Sequence, residues 1–213
     1  FEVDILGILN NMPNEVLYPM AGLTRICIGM DSQYANGDCN HSTISTDGRY
    51  IAFESNASNL IPDDTNGSRD IFLLDTPTDV ISRISVGNAG SQANGSSYAP
   101  KITDDGRFII YTSDATNLIA NDTNARSDVF RYDIATGETI IISTSSTGNL
   151  GDSYSGSMYY PQAISSAGEK VIFVSRSSNL VENDTNGVAD LFVKSTQTGE
   201  ISRVNVSSAG DQA

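Results

Sequence analysis

The sequence predicts an all-β chain built from repeated four-stranded antiparallel units, and three observations carry that expectation. The first is a recurring block. Asp47-Gly48-Arg49, Asn59-Leu60, Asp64-Thr65-Asn66 and Asp70-Ile71-Phe72 return as Asp105-Gly106-Arg107, Asn117-Leu118, Asp122-Thr123-Asn124 and Asp128-Val129-Phe130. They return again as Ala167-Gly168-Glu169, Asn179-Leu180, Asp184-Thr185-Asn186 and Asp190-Leu191-Phe192. Asp47 to Asp105 is 58 residues and Asp105 to Ala167 is 62, so the period is nearly constant. The second is composition: between the blocks lie short β-branched and aromatic runs bounded by Gly turns, with no helical period to compete. The third is elimination. A parallel β-helix has a shorter repeat and a sandwich does not repeat its loop sequences, whereas four antiparallel strands at this length fit one blade of a β-propeller.

Each element follows in order. Strand A covers Thr43 to Ser45, Lys101 to Thr103 and Ala163 to Ser165, and ends in a tight turn where Gly supplies a left-handed backbone. Strand B covers Tyr50 to Phe53, Phe108 to Tyr111 and Lys170 to Val174. A polar loop of about fifteen residues, long for a hairpin, leads to strand C at Ile71 to Leu74, Val129 to Tyr132 and Leu191 to Val193. A second tight turn leads to strand D at Ile81 to Val86, Thr139 to Ser143 and Ile201 to Val206. The blades therefore span about 41–86, 99–144 and 161–206.

The stretches DGRYIAF and DGRFIIY, followed by DIFLLD and DVFRYD, resemble the TolB-type, WD-like propeller repeat over residues 24–213. That family has a Ser-Pro-Asp-Gly-Lys turn between strands A and B and an Asp-Ile-Tyr start to strand C. The third unit departs from it, with Ala167-Gly168-Glu169 in the turn, so a role for the turn Asp beyond local geometry is in doubt. The resemblance implies a propeller fold and a structural role for the Asp that opens strand C. It leaves activity open, because TolB-like propellers also cap peptidases and form some polysaccharide lyases.

The chain ends extend the pattern. Thr24-Arg25-Ile26-Cys27-Ile28 matches Ser82-Arg83-Ile84-Ser85-Val86, a D strand ahead of the first A strand. Val3-Asp4-Ile5-Leu6 resembles the start of a C strand, although residues 1–23 also read as an unrelated arm. Residues 207–213 match the loop that precedes a further A strand. The reading is three complete blades plus part of another. Three outcomes stay open: a piece of a longer polypeptide, a second copy completing the ring, or a homo-oligomer or filament built through open edges.

Because strand direction alternates, A–B and C–D turns share one face and the long B–C and D–A loops share the other, which is where binding concentrates on a rigid scaffold. The motif Asp-Thr-Asn-x-x-x-Asp recurs there as Asp64/Asn66/Asp70, Asp122/Asn124/Asp128 and Asp184/Asn186/Asp190. Alternating oxygen side chains on a turn suit calcium, which takes 6–8 hard oxygens; the same residues also suit a self-satisfied Asx turn at the start of strand C. In either case the three loops are expected to share one conformation. Asn59, Asn117 and Asn179 precede buried leucines and should bond backbone. His41 opens an A strand near the central channel, as a polar wall residue or a ligand. Tyr34, Tyr98, Tyr159 and Tyr160 lie in or at the ends of D–A loops, placed to stack on a sugar or peptide or to wedge between blades. Cys27 and Cys39 have Ser85 and Ser97 as repeat equivalents; a disulfide and two free thiols both fit. Seven Asn-x-Ser/Thr sequons, at Asn40, Asn56, Asn66, Asn94, Asn121, Asn183 and Asn205, carry glycans only in a glycosylating host.

Charge narrows the function classes. The 213 residues hold 12 Lys plus Arg against 26 Asp plus Glu, a net charge of −14. A basic footprint for nucleic acid and electrostatic docking on anionic lipid are both disfavoured, and no apolar run reaches the length of a membrane span. One His, no nucleophile elbow of the Gly-x-Ser-x-Gly type and no Cys/His metal cluster weigh against an enzyme. The expectation is a non-catalytic extracellular or periplasmic propeller module that binds a protein or carbohydrate partner, or acts as a scaffold, through the long-loop face. A structural subunit pairing through blade edges and the propeller part of a hydrolase or lyase are the alternatives.

Overall fold

A computed structural model describes residues 26–30, 33–87, 90–157, 162–208, 210 and 212. The expected arm or C strand at 1–23 lies outside the described residues, as do Tyr159 and Tyr160. The described chain is twelve strands in three four-stranded antiparallel sheets, each in sequence order. The first sheet holds β1 (Cys39–Ile44), β2 (Tyr50–Ser55), β3 (Asp70–Asp75) and β4 (Val80–Arg83). The second holds β5 (Ser97–Ile102), β6 (Phe108–Ser113), β7 (Asp128–Asp133) and β8 (Thr139–Ile141). The third holds β9 (Ala163–Ile164), β10 (Lys170–Ser175), β11 (Asp190–Ser195) and β12 (Ile201–Arg203). Among the described residues no helix is long and apolar enough to cross a membrane. The expected fold, all-β with four-stranded antiparallel blades, is the observed one.

Strand ends differ from the sequence reading for physical reasons. The B strands run on through Ser55, Ser113 and Ser175, because these polar residues pair with Asp70, Asp128 and Asp190. The D strands stop early, at Arg83, Ile141 and Arg203, because the chain curls there. Val86, Thr144 and Val206 each donate their amide to the carbonyl two residues back, at 2.9, 2.7 and 3.0 Å, a γ-turn repeated three times. The innermost strands β1 and β5 carry a bulge, with register shifts between Asn40 and Thr43 and between Tyr98 and Lys101. At the bulges His41 (φ 45°) and Ala99 (φ 55°) adopt the left-handed region.

The core is repeated as faithfully as the strands. Phe53–Phe72, Tyr111–Phe130 and Phe173–Phe192 stack across B and C strands with ring centroids 5.8, 5.9 and 6.0 Å apart. Between blades the packing is continuous. Ala52, Ile71 and Leu73 of the first blade pack with Ile102, Ile109, Tyr111 and Phe130 of the second. Ile110, Val129 and Ile142 of the second pack with Val171, Phe173 and Phe192 of the third. The remaining face of the first blade, Phe53, Phe72 and Leu74, is covered by Ile26, Cys27, Ala35 and Cys39. Ile28 bridges to Tyr34 just as Val86 bridges to Gln92 and Val206 to Gln212, so residues 26–28 keep the register expected of a D strand's end. Cys27 and Cys39 are disulfide-bonded, with Cα atoms 6.4 Å apart.

Candidate functional site

The long B–C and D–A loops meet on one face and fasten one another with bonds that repeat from blade to blade. Asn59, Asn117 and Asn179 each donate Nδ2 to a D–A carbonyl, of Tyr34, Gln92 and Leu150, at 2.8, 2.8 and 2.9 Å. Their Oδ1 atoms accept the amides of Asn36, Asn94 and Asp152 at 2.9, 3.0 and 3.0 Å. Side chains reply in the opposite direction, since Asn36, Asn94 and Asp152 accept the amides of Ser58, Thr116 and Ser178, each at 2.8 Å. The loops approach so closely that glycine is required: a Cβ on Gly95 would lie 2.7 Å from the carbonyl carbon of Asp114 and 2.8 Å from the Ala115 amide.

Within each B–C loop the Asp-Thr-Asn motif makes the same turn in all three blades, although the residue ahead of it is left-handed in the first and third (Asp63 φ 57°, Asn183 φ 58°) and not in the second. The Oδ1 of Asn66, Asn124 and Asn186 accepts the amide two residues on, at 3.0, 3.0 and 3.2 Å, an Asx turn. The same amides donate Nδ2 to Asp70, Asp128 and Asp190 at 2.9, 2.8 and 3.3 Å. Those carboxylates are fully or almost fully buried. Their partners in the structure are side chains: Ser85 Oγ at 2.6 Å, Ser143 Oγ at 2.5 Å and Asn205 Nδ2 at 2.5 Å.

The three loops share a shape but not an electrostatic setting. In the first blade the buried Arg83 Nη1 lies 2.9 Å from Asp64 Oδ1, 3.2 Å from Asp70 Oδ2 and 3.3 Å from Gln92 Oε1. Gln92 Oε1 also accepts the Thr65 and Asn66 amides, each at 3.0 Å, and its Nε2 reaches Asp63 O and Thr65 Oγ1 at 2.9 Å. The third blade repeats this with Arg203, 3.0 Å from Asp184 and 3.4 Å from Asp190, and with Gln212 on Thr185 and on the Asn183 carbonyl. In both, a guanidinium nitrogen stands among the carboxylate oxygens that the motif would offer to calcium. In the second blade Ile141 holds the arginine's register position, opposite Phe130 as Arg83 is opposite Phe72. Leu150 holds the glutamine's, bridged to Thr144 as Gln92 is to Val86.

The carboxyl groups respond to these settings. Burial pushes Asp70 and Asp184 above the usual carboxylate range, with their arginines pulling back. Burial pushes Asp128 up to about 6, helped by the Asp122 charge. Asp122, 6% exposed, is raised by burial too. The Asn124 amide faces it and moderates that shift, but no donor reaches either of its buried oxygens in hydrogen-bond geometry.

A second cluster lies at the innermost strands. Glu54, fully buried, accepts the Ala99 amide of the next blade at 2.7 Å, sits 3.0 Å from His41 Nδ1 and is paired with Arg69 Nη1. Burial pushes its pKa up, but these three partners outweigh it and hold the group below its ordinary value. His41 is thus a half-exposed partner of a buried carboxylate on the channel side. Thr112 and Val174 stand where Glu54 stands in the other blades; Thr112 meets Gln162, which in turn donates to Ala99 O at 2.6 Å. Tyr98 is tied within its own blade, its hydroxyl 3.0 Å from Asp114 and 3.4 Å from Ser127, and burial pushes it up to about 12. Among the described residues Tyr34 and Tyr154 are the exposed tyrosines on the loop face, Tyr154 beneath the Arg126 guanidinium at 5.2 Å. The structure therefore brings together the Asp/Asn triads, and places His41 apart from them with Glu54 and Arg69. Tyr160 lies outside the described residues.

No protein-family model matches this chain, and no curated protein matches it. Among solved structures it is similar to TolB from Acinetobacter baumannii, at 21% identity over 80% of this chain and 32% of that one, with a TM-score of 0.46. It is also similar to oligogalacturonate lyase from Vibrio parahaemolyticus, at 15% identity over 83% and 44% of the two chains, with a TM-score of 0.49. A third is the acylaminoacyl peptidase of Pyrococcus horikoshii, at 10% identity over 79% and 25%, with a TM-score of 0.46. The chain spans 25% to 44% of the length of these three proteins, and the likeness assigns it no activity. The blade architecture rests on the chain's own sheets and packing.

Proposed function

We propose that the chain is a non-catalytic propeller module of an extracellular or periplasmic protein that binds a protein or carbohydrate partner through its long-loop face. The observation that carries this reading is the repeated fastening of the B–C and D–A loops by Asn59, Asn117 and Asn179, which holds that face in one shape before any partner arrives. A preordered surface loses little entropy on binding. Tyr34 and the Arg126–Tyr154 pair give it exposed aromatic and cationic contacts of the kind enriched at interfaces. Three of the buried carboxylates are committed elsewhere: Glu54 to a cation pair and a backbone amide, Asp70 and Asp190 to side-chain donors and arginines. The Cys27–Cys39 disulfide supports an oxidising compartment.

The test is a binding screen of the immobilised chain against secreted proteins and polysaccharides, run with Tyr154→Ser and Arg126→Ala and with Arg49→Ala on the opposite, tight-turn face as control. Binding that falls in the first two variants and survives in the third supports the reading. Turnover of a peptide or polysaccharide by the purified chain overturns it. A second reading, pairing through an open blade face, is favoured by Ile172, Val204 and Val206, exposed on the third blade at 37%, 47% and 41%. Concentration-dependent mass in solution, lost on Val204→Lys, would favour it.

A further inference from the structure

We infer that the Asp122–Asp128 pair in the B–C loop of the second blade binds a hard divalent cation of the calcium class, in the position that an arginine fills in the other two blades.

The repeat itself supplies the comparison. Blades one and three hold a triad of Asp, Asn and Asp, an arginine from the D strand and a glutamine from the D–A loop. Blade two keeps the triad and loses both partners together, to Ile141 and Leu150. An alkyl side chain donates nothing, so two acids keep their places in a buried loop while the group that neutralised them is gone. Such an arrangement is costly unless a positive charge enters from outside the chain.

Asp122 is the second and independent observation. It is more than nine-tenths buried, and both of its carboxylate oxygens are buried without a hydrogen bond. Its equivalents, Asp64 and Asp184, each spend one oxygen on the arginine, at 2.9 and 3.0 Å. The Asx turn and the Asn-to-Asp bond are both retained in Asn124; the backbone differs ahead of the acid, where Asp63 and Asn183 take positive φ of 57° and 58° and Asn121 does not. Asp122 holds the repeat position from which Asp64 and Asp184 meet their arginines, beside the same Asx turn, and its charge is felt by Asp128.

The donor set suits a hard cation. Asp122 offers two oxygens. Asp128 accepts from Ser143 and Asn124, one bond on each oxygen, which leaves lone pairs on both. Asn124 is a positioning residue: its Oδ1 accepts the Arg126 amide and its Nδ2 serves Asp128 and the Gly151 carbonyl at 3.1 Å. Two carboxylates match the charge of a divalent ion, and loop carbonyls with water would complete the 6–8 oxygens that calcium takes. Imidazole and thiolate ligands are not part of this set, which disfavours zinc and copper.

The experiment is a thermal melt of the whole chain, first stripped with chelator, against added CaCl2, with MgCl2 as the second probe and NaCl to match ionic strength. The wild type should show a saturable rise in melting temperature with a midpoint on the order of 10⁻⁴–10⁻³ M, the range of extracellular calcium modules. Ile141→Arg, which copies the other blades, should melt at or above the stripped wild type and lose the calcium response. Asp122→Asn keeps the shape, removes one charge and should shift the midpoint upward by about tenfold or more; it carries the test alone if Ile141→Arg does not fold. An unchanged wild-type melt across that concentration range overturns the inference. So does a calcium response that persists undiminished in Asp122→Asn, because the ion would then bind elsewhere.

Discussion

Replacing Arg83 by methionine isolates the electrostatic logic of the loops. The methionine keeps much of the apolar stem and removes one charge from a site where arginine and both acids are at least nine-tenths buried. What remains is Asp64 and Asp70 facing each other without a cation, together with a lost bond to Gln92. Removing one partner of a buried pair costs about 3–5 kcal/mol, a large share of the 5–15 kcal/mol that holds a typical domain together. The sign of the pH dependence follows. Asp70 is already above its ordinary value because of burial, and loss of Arg83 raises it further. A carboxyl with a raised folded-state pKa destabilises the fold most when ionised in both states, and that penalty shrinks as pH falls through the folded value toward the unfolded one near 4. Urea denaturation followed by tyrosine fluorescence at pH 7.5 and pH 5 reads both effects. The gap between wild type and variant should be widest at pH 7.5 and narrow at pH 5. A loss below about 1 kcal/mol, as for an exposed ion pair, or a gap that does not change with pH, would refute the reasoning.

Three further predictions concern other ties. Reducing the Cys27–Cys39 disulfide, which closes a short loop, should lower stability by about 2–3 kcal/mol; an unchanged denaturation midpoint under reductant would contradict the structure. Lys194 is buried, its pKa lowered by that burial, and its ammonium donates to Thr144 O and Ser145 O at 2.8 Å each, joining the third blade to the second. Lys194→Ala takes the donor from the Thr144 carbonyl, while Ser145 O keeps the Gly148 amide at 3.0 Å, and should cost about 1–3 kcal/mol; a neutral substitution in urea melts would exclude the tie. Glu54 is held below its ordinary pKa, so its contribution is present above the unfolded value near 4.3 and lost as pH falls through the folded one. Acid titration should therefore unfold the wild type more steeply below about pH 4 than Glu54→Gln, and parallel acid limbs would be the contrary result.

The blades were legible because their signals are local and repeated. Gly48, Gly106 and Gly168 turn the chain with φ of 72°, 70° and 73°, and stacked aromatics follow at fixed spacing. The Asx turns were legible too, since the Oδ1 atoms of Asn66, Asn124 and Asn186 accept amides just two residues along the chain. What escaped was long-range. Arg83 and Gln92 reach the acidic loop from 19 and 27 residues away, and neither carries a signature by itself. The usable signal lay in comparing the repeats column by column, because arginine and glutamine are both present in blades one and three and both absent in blade two. Glu54 was missed for the same reason: a single carboxylate where the other repeats have Thr112 and Val174 looks like strand polarity until Arg69, His41 and Ala99 converge on it. In the third blade, the Glu169 that breaks the turn motif accepts from Gln197 at 3.1 Å, replacing the Arg49–Asp75 and Arg107–Asp133 pairs of the first two with reversed polarity.

The central claim is that the long-loop face is held in one shape by the chain's own bonds, and native-state hydrogen exchange tests it most directly. The amides of Asn36, Asn94 and Asp152, and of Ser58, Thr116 and Ser178, lie in exposed loops yet each donates to a side chain of the facing loop. They should exchange slowly, with protection approaching that of the neighbouring B and C strands and lost at Asn94 when Asn117 is replaced by Ala. Exchange of these six amides at the rate of an unstructured loop would contradict the account.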